Sequence, residues 1–142
     1  MIDREAIHAA LFARLSAIPG LNTASRRLKH WNDVPKEEQP ALFQSKRDED
    51  AQHETGKPTI WRLPFDVYVY TWTPEPDVPA TAMNAMLDAV CAALAPNVAQ
   101  GQRNTLGGLV HDCRIVGRIE TDEGTLGSQS VSIIPVEVLV HD

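Results

Sequence analysis

The chain has 142 residues, 43% of them hydrophobic and 23% charged, with a formal net charge of -6. That suits one domain with a real core, and the acidic balance argues against nucleic-acid binding, where clustered Lys and Arg supply the affinity. No apolar run approaches the roughly 18 residues of a membrane helix, and the first residues lack a leader pattern, so the protein is expected to stay in the compartment where it is made.

From Asp3 to Ile18, Ile7, Leu11, Leu15 and Ile18 recur at helical spacing, with Phe12 widening the stripe. Asp3 is placed to cap this helix and Glu5 to favour its first turn, and Pro19-Gly20 stops it. Thr23 to Trp31 reads as a short edge strand carrying Arg26, Arg27 and Lys29. Gln39 to Gln44 offers a brief apolar strand, and Ser45 to Pro58, polar and without periodicity, is predicted to be a long loop.

Thr59 to Thr73 is the clearest strand. Leu63, Phe65, Val67 and Val69 alternate with Arg62, Asp66, Tyr68 and Tyr70, so one face meets a core and the other is aromatic and charged. No later element is evident to cover that second face. Pro74, Pro76 and Pro79 mark a crossover. A second helix follows, with Thr81 as its cap and Met83, Met86, Leu87, Val90, Cys91 and Leu94 on its stripe, until Pro96 ends it. Its many alanines leave it slim enough to lie close to a sheet.

Residues Pro96 to Gly108 are irregular, and Gly107-Gly108 suits a tight turn. Leu109 to Thr121 and Ser130 to Val140 read as the last two strands, joined by a hairpin loop over residues 122–129, and Pro135 fits an edge strand best. The order α-β-β-β-α-β-β defines an α+β fold: a mostly antiparallel sheet of four to five strands with two helices on one face. All of residues 1–142 form this single domain.

Catalytic and metal-binding patterns are missing. No nucleophile elbow or Cys-centred signature occurs, and the five histidines are scattered singly. His111-Asp112 would point to opposite faces of a strand, and Asp122-Glu123 in a hairpin tip lacks a pocket. Cys91 and Cys113 have no motif spacing, which predicts buried reduced thiols. The sequence therefore points away from an enzyme, and it implies no catalytic residue, cofactor or metal.

Charge is unevenly shared. Residues 1–71 carry 10 basic and 10 acidic side chains, whereas residues 72–142 carry 3 basic and 9 acidic. If the halves occupy different flanks, copies would associate head to tail.

Several stretches together resemble a known family: Ile18-Pro19-Gly20, Gln39-Pro40-Ala41-Leu42-Phe43, Trp61-Arg62-Leu63 running into Val67-Tyr68-Val69-Tyr70, and Met83-Asn84-Ala85-Met86-Leu87. Thr105-Leu106-Gly107-Gly108-Leu109-Val110 and Gly117-Arg118-Ile119-Glu120-Thr121-Asp122-Glu123-Gly124 complete the pattern before a valine-rich end. The chain in these respects resembles the tail terminator, or tail completion, minor tail proteins of long-tailed bacteriophages and prophages. The resemblance implies a hexameric ring that caps the tail tube, stops its polymerisation and presents a surface for head attachment. Implied partners are further copies of itself, the tail tube protein and a head completion or connector protein, with no membrane and no sequence-specific nucleic acid. Its place would be the virion tail, after assembly in the host cytoplasm. DNA passing through such a ring favours an acidic or neutral lumen.

A closed ring needs two different patches on each subunit. Charge assigns Arg26, Arg27, Lys46 and Arg47 to one and Glu120, Asp122 and Glu123 to the other, and the outer strand face adds Tyr68, Tyr70 and Trp72. Three other readings stay open. One is another head-tail neck or connector protein of such particles. A second is a small ligand-binding domain or enzyme in which Trp61, Tyr68 or Trp72 lines a pocket. The third is a monomeric adaptor that binds a partner along an edge strand.

Overall fold

Asp3 caps the first helix: its carboxylate accepts a hydrogen bond from the Ala6 N–H at 3.0 Å, and helix α1 spans Arg4–Ser16. The computed structural model of the protein describes residues 1–74 and 80–142, and for residues 124–126 the backbone alone. Ile7, Leu11 and Leu15 of α1 are buried, as is Ile18 beyond its end. Helix α2, Ala80–Ala93, buries Met83, Met86 and Val90, with Leu94 just after it. Thr81 lies inside α2 rather than capping it, and Cys91 is exposed. Cys91 follows Val90 by one residue, about 100° round the helix, which turns it off the buried stripe. Pro76 and Pro79 lie outside the described residues.

Among the described residues the sheet has seven strands: β1 Thr23–Ser25, β2 Ala41–Lys46, β3 Asp50–Gln52, β4 Ile60–Trp72, β5 Asp112–Ile115, β6 Glu120–Leu126 and β7 Gln129–His141. They fall into five ranks. The path is β1-β2-β4-β7-β5, with β3 also beside β4 and β6 also beside β7. Only β1 with β2 is parallel, so the expected α+β layer structure is present. The two long strands β4 and β7 pair along their whole lengths, Ile60 with His141 through Trp72 with Gln129.

Alternation in these strands builds the main core. Leu63, Phe65, Val67 and Val69 of β4 and Ile134, Val136, Val138 and Val140 of β7 pack with Leu42, Cys113 and the helix stripes in one cluster. Complete burial of each large aliphatic side chain contributes roughly 1.5–3 kcal/mol. Both helices therefore lie on this face.

Four expectations need correction. First, residues 45–58 are not a structureless loop, because β2 continues to Lys46 and β3 returns beside Ile60–Arg62 of β4. The residues of β3 are all exposed, so no apolar alternation signals the strand. Second, Leu109–Thr121 is not one strand but β5 and β6, separated at 116–119, where Gly117 has φ 108°. Third, β6 runs on to Leu126, so only Gly127 and Ser128 separate it from β7 in place of an eight-residue loop. Fourth, Pro135 sits in central strand β7, beside Asp66 of β4. Its carbonyl accepts from the Val116 N–H at 3.0 Å, so its nitrogen also faces the gap between β5 and β6. A missing N–H there breaks no ladder bond, which is how a proline is tolerated away from the edge.

The second face of the sheet is partly covered by its own chain. Residues 31–39, including short 3-10 turns at Trp31–Asp33 and Lys36–Glu38, fold over one end of it. Val34, Ala41, Phe43 and Tyr70 form a small second cluster there, flanked by Trp31, Tyr68 and Val131. The Tyr70 hydroxyl donates to the Lys29 carbonyl at 2.6 Å, and the Gln129 amide donates to the Trp31 carbonyl at 2.9 Å. Sequence patterning missed this cover because the segment has no periodicity.

Candidate subunit interface

The seven charged interface candidates divide between the two margins of the sheet. Arg26 and Arg27 follow β1, one outermost rank, and Glu120, Asp122 and Glu123 lie on β6, in the other. Lys46 and Arg47 end β2, where β1 no longer flanks it.

The basic group does not act as one patch. Arg26 binds Glu5 of α1 through two bonds of 2.6 and 3.2 Å. This hydrogen bond, with the Arg26 charge, lowers the Glu5 pKa and raises that of Arg26. Lys46 reaches Glu49 at 3.3 Å, and Arg4 holds the same carboxylate at 2.8 Å. Burial pushes the Glu49 pKa up, but the hydrogen bonds from Arg4 and Lys46 outweigh it and leave the group below its ordinary value. Arg47 is paired with Asp66 across the outer face at 3.6 Å. That leaves Arg27 as the member with no ion pair among the described residues, and Lys29 beside it is equally unpaired.

The opposite margin is simpler. Glu120, Asp122 and Glu123 are exposed and make no ion pair among the described residues. They lie in β6, not at a hairpin tip. Glu120 and Asp122 face outward with Ile133 and Val131, and Glu123 faces the helix side with Ser130. Arg118 precedes them without cancelling their excess of negative charge.

The aromatic candidates separate. Tyr70 is 2% exposed and its hydroxyl is engaged internally, so it supplies no free surface. Burial pushes its pKa up to about 12. Tyr68 is half-buried, and Trp72 is 39% exposed at the end of β4. Trp61 lies on the helix face with the Arg4 guanidinium 4.7 Å over its ring. Trp61 and the Tyr68–Trp72 pair are thus on opposite sides of the sheet and cannot line one pocket.

His8, which sequence reasoning passed over, is set among these charges. Its ring meets Phe65 edge-on at 4.8 Å, and its Nε2 is buried without a protein partner. Burial, reinforced by Arg26 and Lys46 and opposed by Glu5 and Glu49, holds its pKa below the ordinary 6.5. The folded state therefore favours neutral imidazole. Stability is full above pH 6.5 and falls as the pH drops from 6.5 towards the lowered folded value, because the unfolded chain takes up the proton first. His8→Gln is expected to flatten this part of the stability–pH curve in thermal melts between pH 8 and 5; an unchanged slope would count against the assignment.

Elsewhere, His111 and Asp112 do not orient one another. His111 Nδ1 lies 3.0 Å from Arg103, and its ring stacks on His141 at 4.9 Å, whereas Asp112 binds Arg114 and the Asn104 N–H. Adjacency in sequence hid the His111–His141 pair, which only the β5–β7 pairing creates. Among the described residues, no three metal-capable His, Cys, Asp or Glu side chains converge. The Cys113 thiol is pushed up to about 12 by burial and by Asp112 beside it. A recess of about 510 Å³ on the outer face is lined by Arg47, Asp48, Asp50, Arg62, Pro64 and Glu137. Arg62 is already paired with Glu137 at 3.0 Å.

The class defined by this fold is a two-layer α+β domain, with helices on one face of a largely antiparallel sheet. No family model and no curated protein matches the chain. Two solved structures share its fold nearly end to end. One belongs to the "Virion of native gene transfer agent (GTA) particle", with a TM-score of 0.53 and 17% identity over 96% of this chain and 95% of that one. The other, which carries no functional description, has a TM-score of 0.55 and 20% identity over 98% of this chain and 96% of the other. At these identities the likeness establishes a shared fold.

Proposed function

We propose that the protein is a structural subunit of a phage-like particle that forms a ring, of six copies, on the end of the tail tube. Such a ring would terminate the tube and offer a surface for head attachment. The end-to-end fold likeness to a chain of a virion particle carries this reading. The resemblance to tail terminators and the separation of Trp61 from Tyr68 and Trp72, which removes the aromatic pocket of the rival reading, also support it. No catalytic role is assigned to any residue. Its partners would be neighbouring copies, the tube protein and a head completion or connector protein, and its place would be the virion tail.

Light scattering with electron microscopy of one sample tests the reading. A mass of six subunits and ring-shaped particles are expected, and addition of growing tail tubes should arrest their length. A concentration-independent monomer that leaves tube growth unchanged would overturn it. A ring that binds heads but leaves tubes uncapped would shift the assignment to a neck or connector protein.

A further inference from the structure

The two margins of the sheet stand at the same height. Rows of register cross all five ranks: Thr23 lies beside Ala41, Ala41 beside Tyr70, Tyr70 beside Val131, and Val131 beside Asp122. The next row on the same face joins Ser25, Phe43, Tyr68, Ile133 and Glu120. Strands β1 and β6 are therefore level, and each is hydrogen-bonded on one side only among the described residues.

Their directions are also matched for pairing. β1 runs with β2, and three antiparallel steps, through β4 and β7, lead to β6. β1 and β6 consequently run in opposite senses. A second copy set beside the first, in the plane of the sheet and in the same orientation, brings its β6 antiparallel to β1 at matching height. An open edge is a template for such addition, and antiparallel pairing is the stronger form of the ladder. Charge selects the same contact. Unpaired Glu120, Asp122 and Glu123 belong to the approaching strand, and unpaired Arg27 and Lys29 follow the receiving one.

We propose that neighbouring copies of this chain join by antiparallel addition of β6 of one subunit to β1 of the next, with the acidic residues of β6 facing Arg27 and Lys29. The contact uses a different margin on each copy, so it repeats head to tail and closes when the rotation between copies permits. It deepens the ring reading above and rests on it. Because β1 is only three residues long, the ladder is short and the charges matter, which makes assembly salt-sensitive.

Cysteine pairs test this directly. In a Cys91→Ser background, which removes the exposed thiol, Thr23→Cys and Asp122→Cys are placed together in one chain and oxidised under assembly conditions with tail tubes present. A ladder of covalent multimers is expected, with none beyond a dimer for either cysteine alone. Ring mass by light scattering without a ladder would overturn the strand pairing and leave the ring reading intact, whereas a monomer without a ladder would overturn both. As a second measurement, Arg27→Glu should raise the half-assembly concentration about tenfold or more, and adding Asp122→Lys should restore it. An unchanged midpoint for a folded Arg27→Glu chain would also overturn the proposal.

Discussion

Phe65→Ala is expected to lower the free energy of unfolding by about 3–5 kcal/mol. Phe65 is 1% exposed on the helix side of β4 and lies in register between Lys46 and Val136. His8 of α1 touches its ring edge-on, so truncation strips contacts from both layers at once. The flanking strands are fixed by their ladders and cannot collapse into the space, which places the cost near the upper part of the range for core aromatics. Urea unfolding followed by circular dichroism measures it, with an earlier midpoint and an unchanged slope expected. A loss under about 1 kcal/mol would contradict the central place given to this side chain.

Tyr70 separates packing from hydrogen bonding on the other face. Tyr70→Phe keeps the ring against Phe43, whose centroid is 5.4 Å away, but removes the 2.6 Å bond to the Lys29 carbonyl. A loss of about 1 kcal/mol is expected. Tyr70→Ala empties the small cluster of Val34, Ala41 and Phe43 as well, for a loss of about 3 kcal/mol or more. The larger change should also release residues 30–39, so trypsin should cut at Lys29 or Lys36 under native conditions. Equal behaviour of the two variants would mean that the ring does not hold this segment down.

Where a periodic pattern existed, the sequence was a reliable guide to the fold. The stripe Ile7, Leu11, Leu15 and the alternation from Leu63 to Val69 each reflect burial against a single face, so spacing alone identifies the element. What could not be seen is structure made by pairing without burial. The exposed β3 is a strand only because Ile60–Arg62 offer it a ladder, and the covering segment around Val34 is held by Tyr70 and Gln129 from far along the chain. Pro135 was misplaced because its tolerance depends on a gap at Gly117 in another strand.

The interface was legible only in outline. Summed charge separated a balanced half from an acidic one, and the fold does set Arg27 and Glu120 at opposite margins. Side chains that look free in a sequence, such as Arg26 and Lys46, are engaged by Glu5 and Glu49 of the same chain. Local charge counting cannot foresee such pairs, because they join elements more distant in sequence or across a strand break. Tyr70 is the plainest case: the residue that looked most available to a neighbour is held inside.

The place of β7 bears on how the chain is made. It is the last strand in chain order, yet β4, β5 and β6 all hydrogen-bond to it. During synthesis β4 would wait for more than half the chain without its main partner, and neither β5 nor β6 has any strand to join until residues 129–141 are free. The sheet is thus completed from its centre at the final step, a non-local and slow kind of assembly. Both outer margins needed for contact between copies become ordered only then, so oligomerisation is coupled to completion of the polypeptide and partly made chains are kept out of the ring.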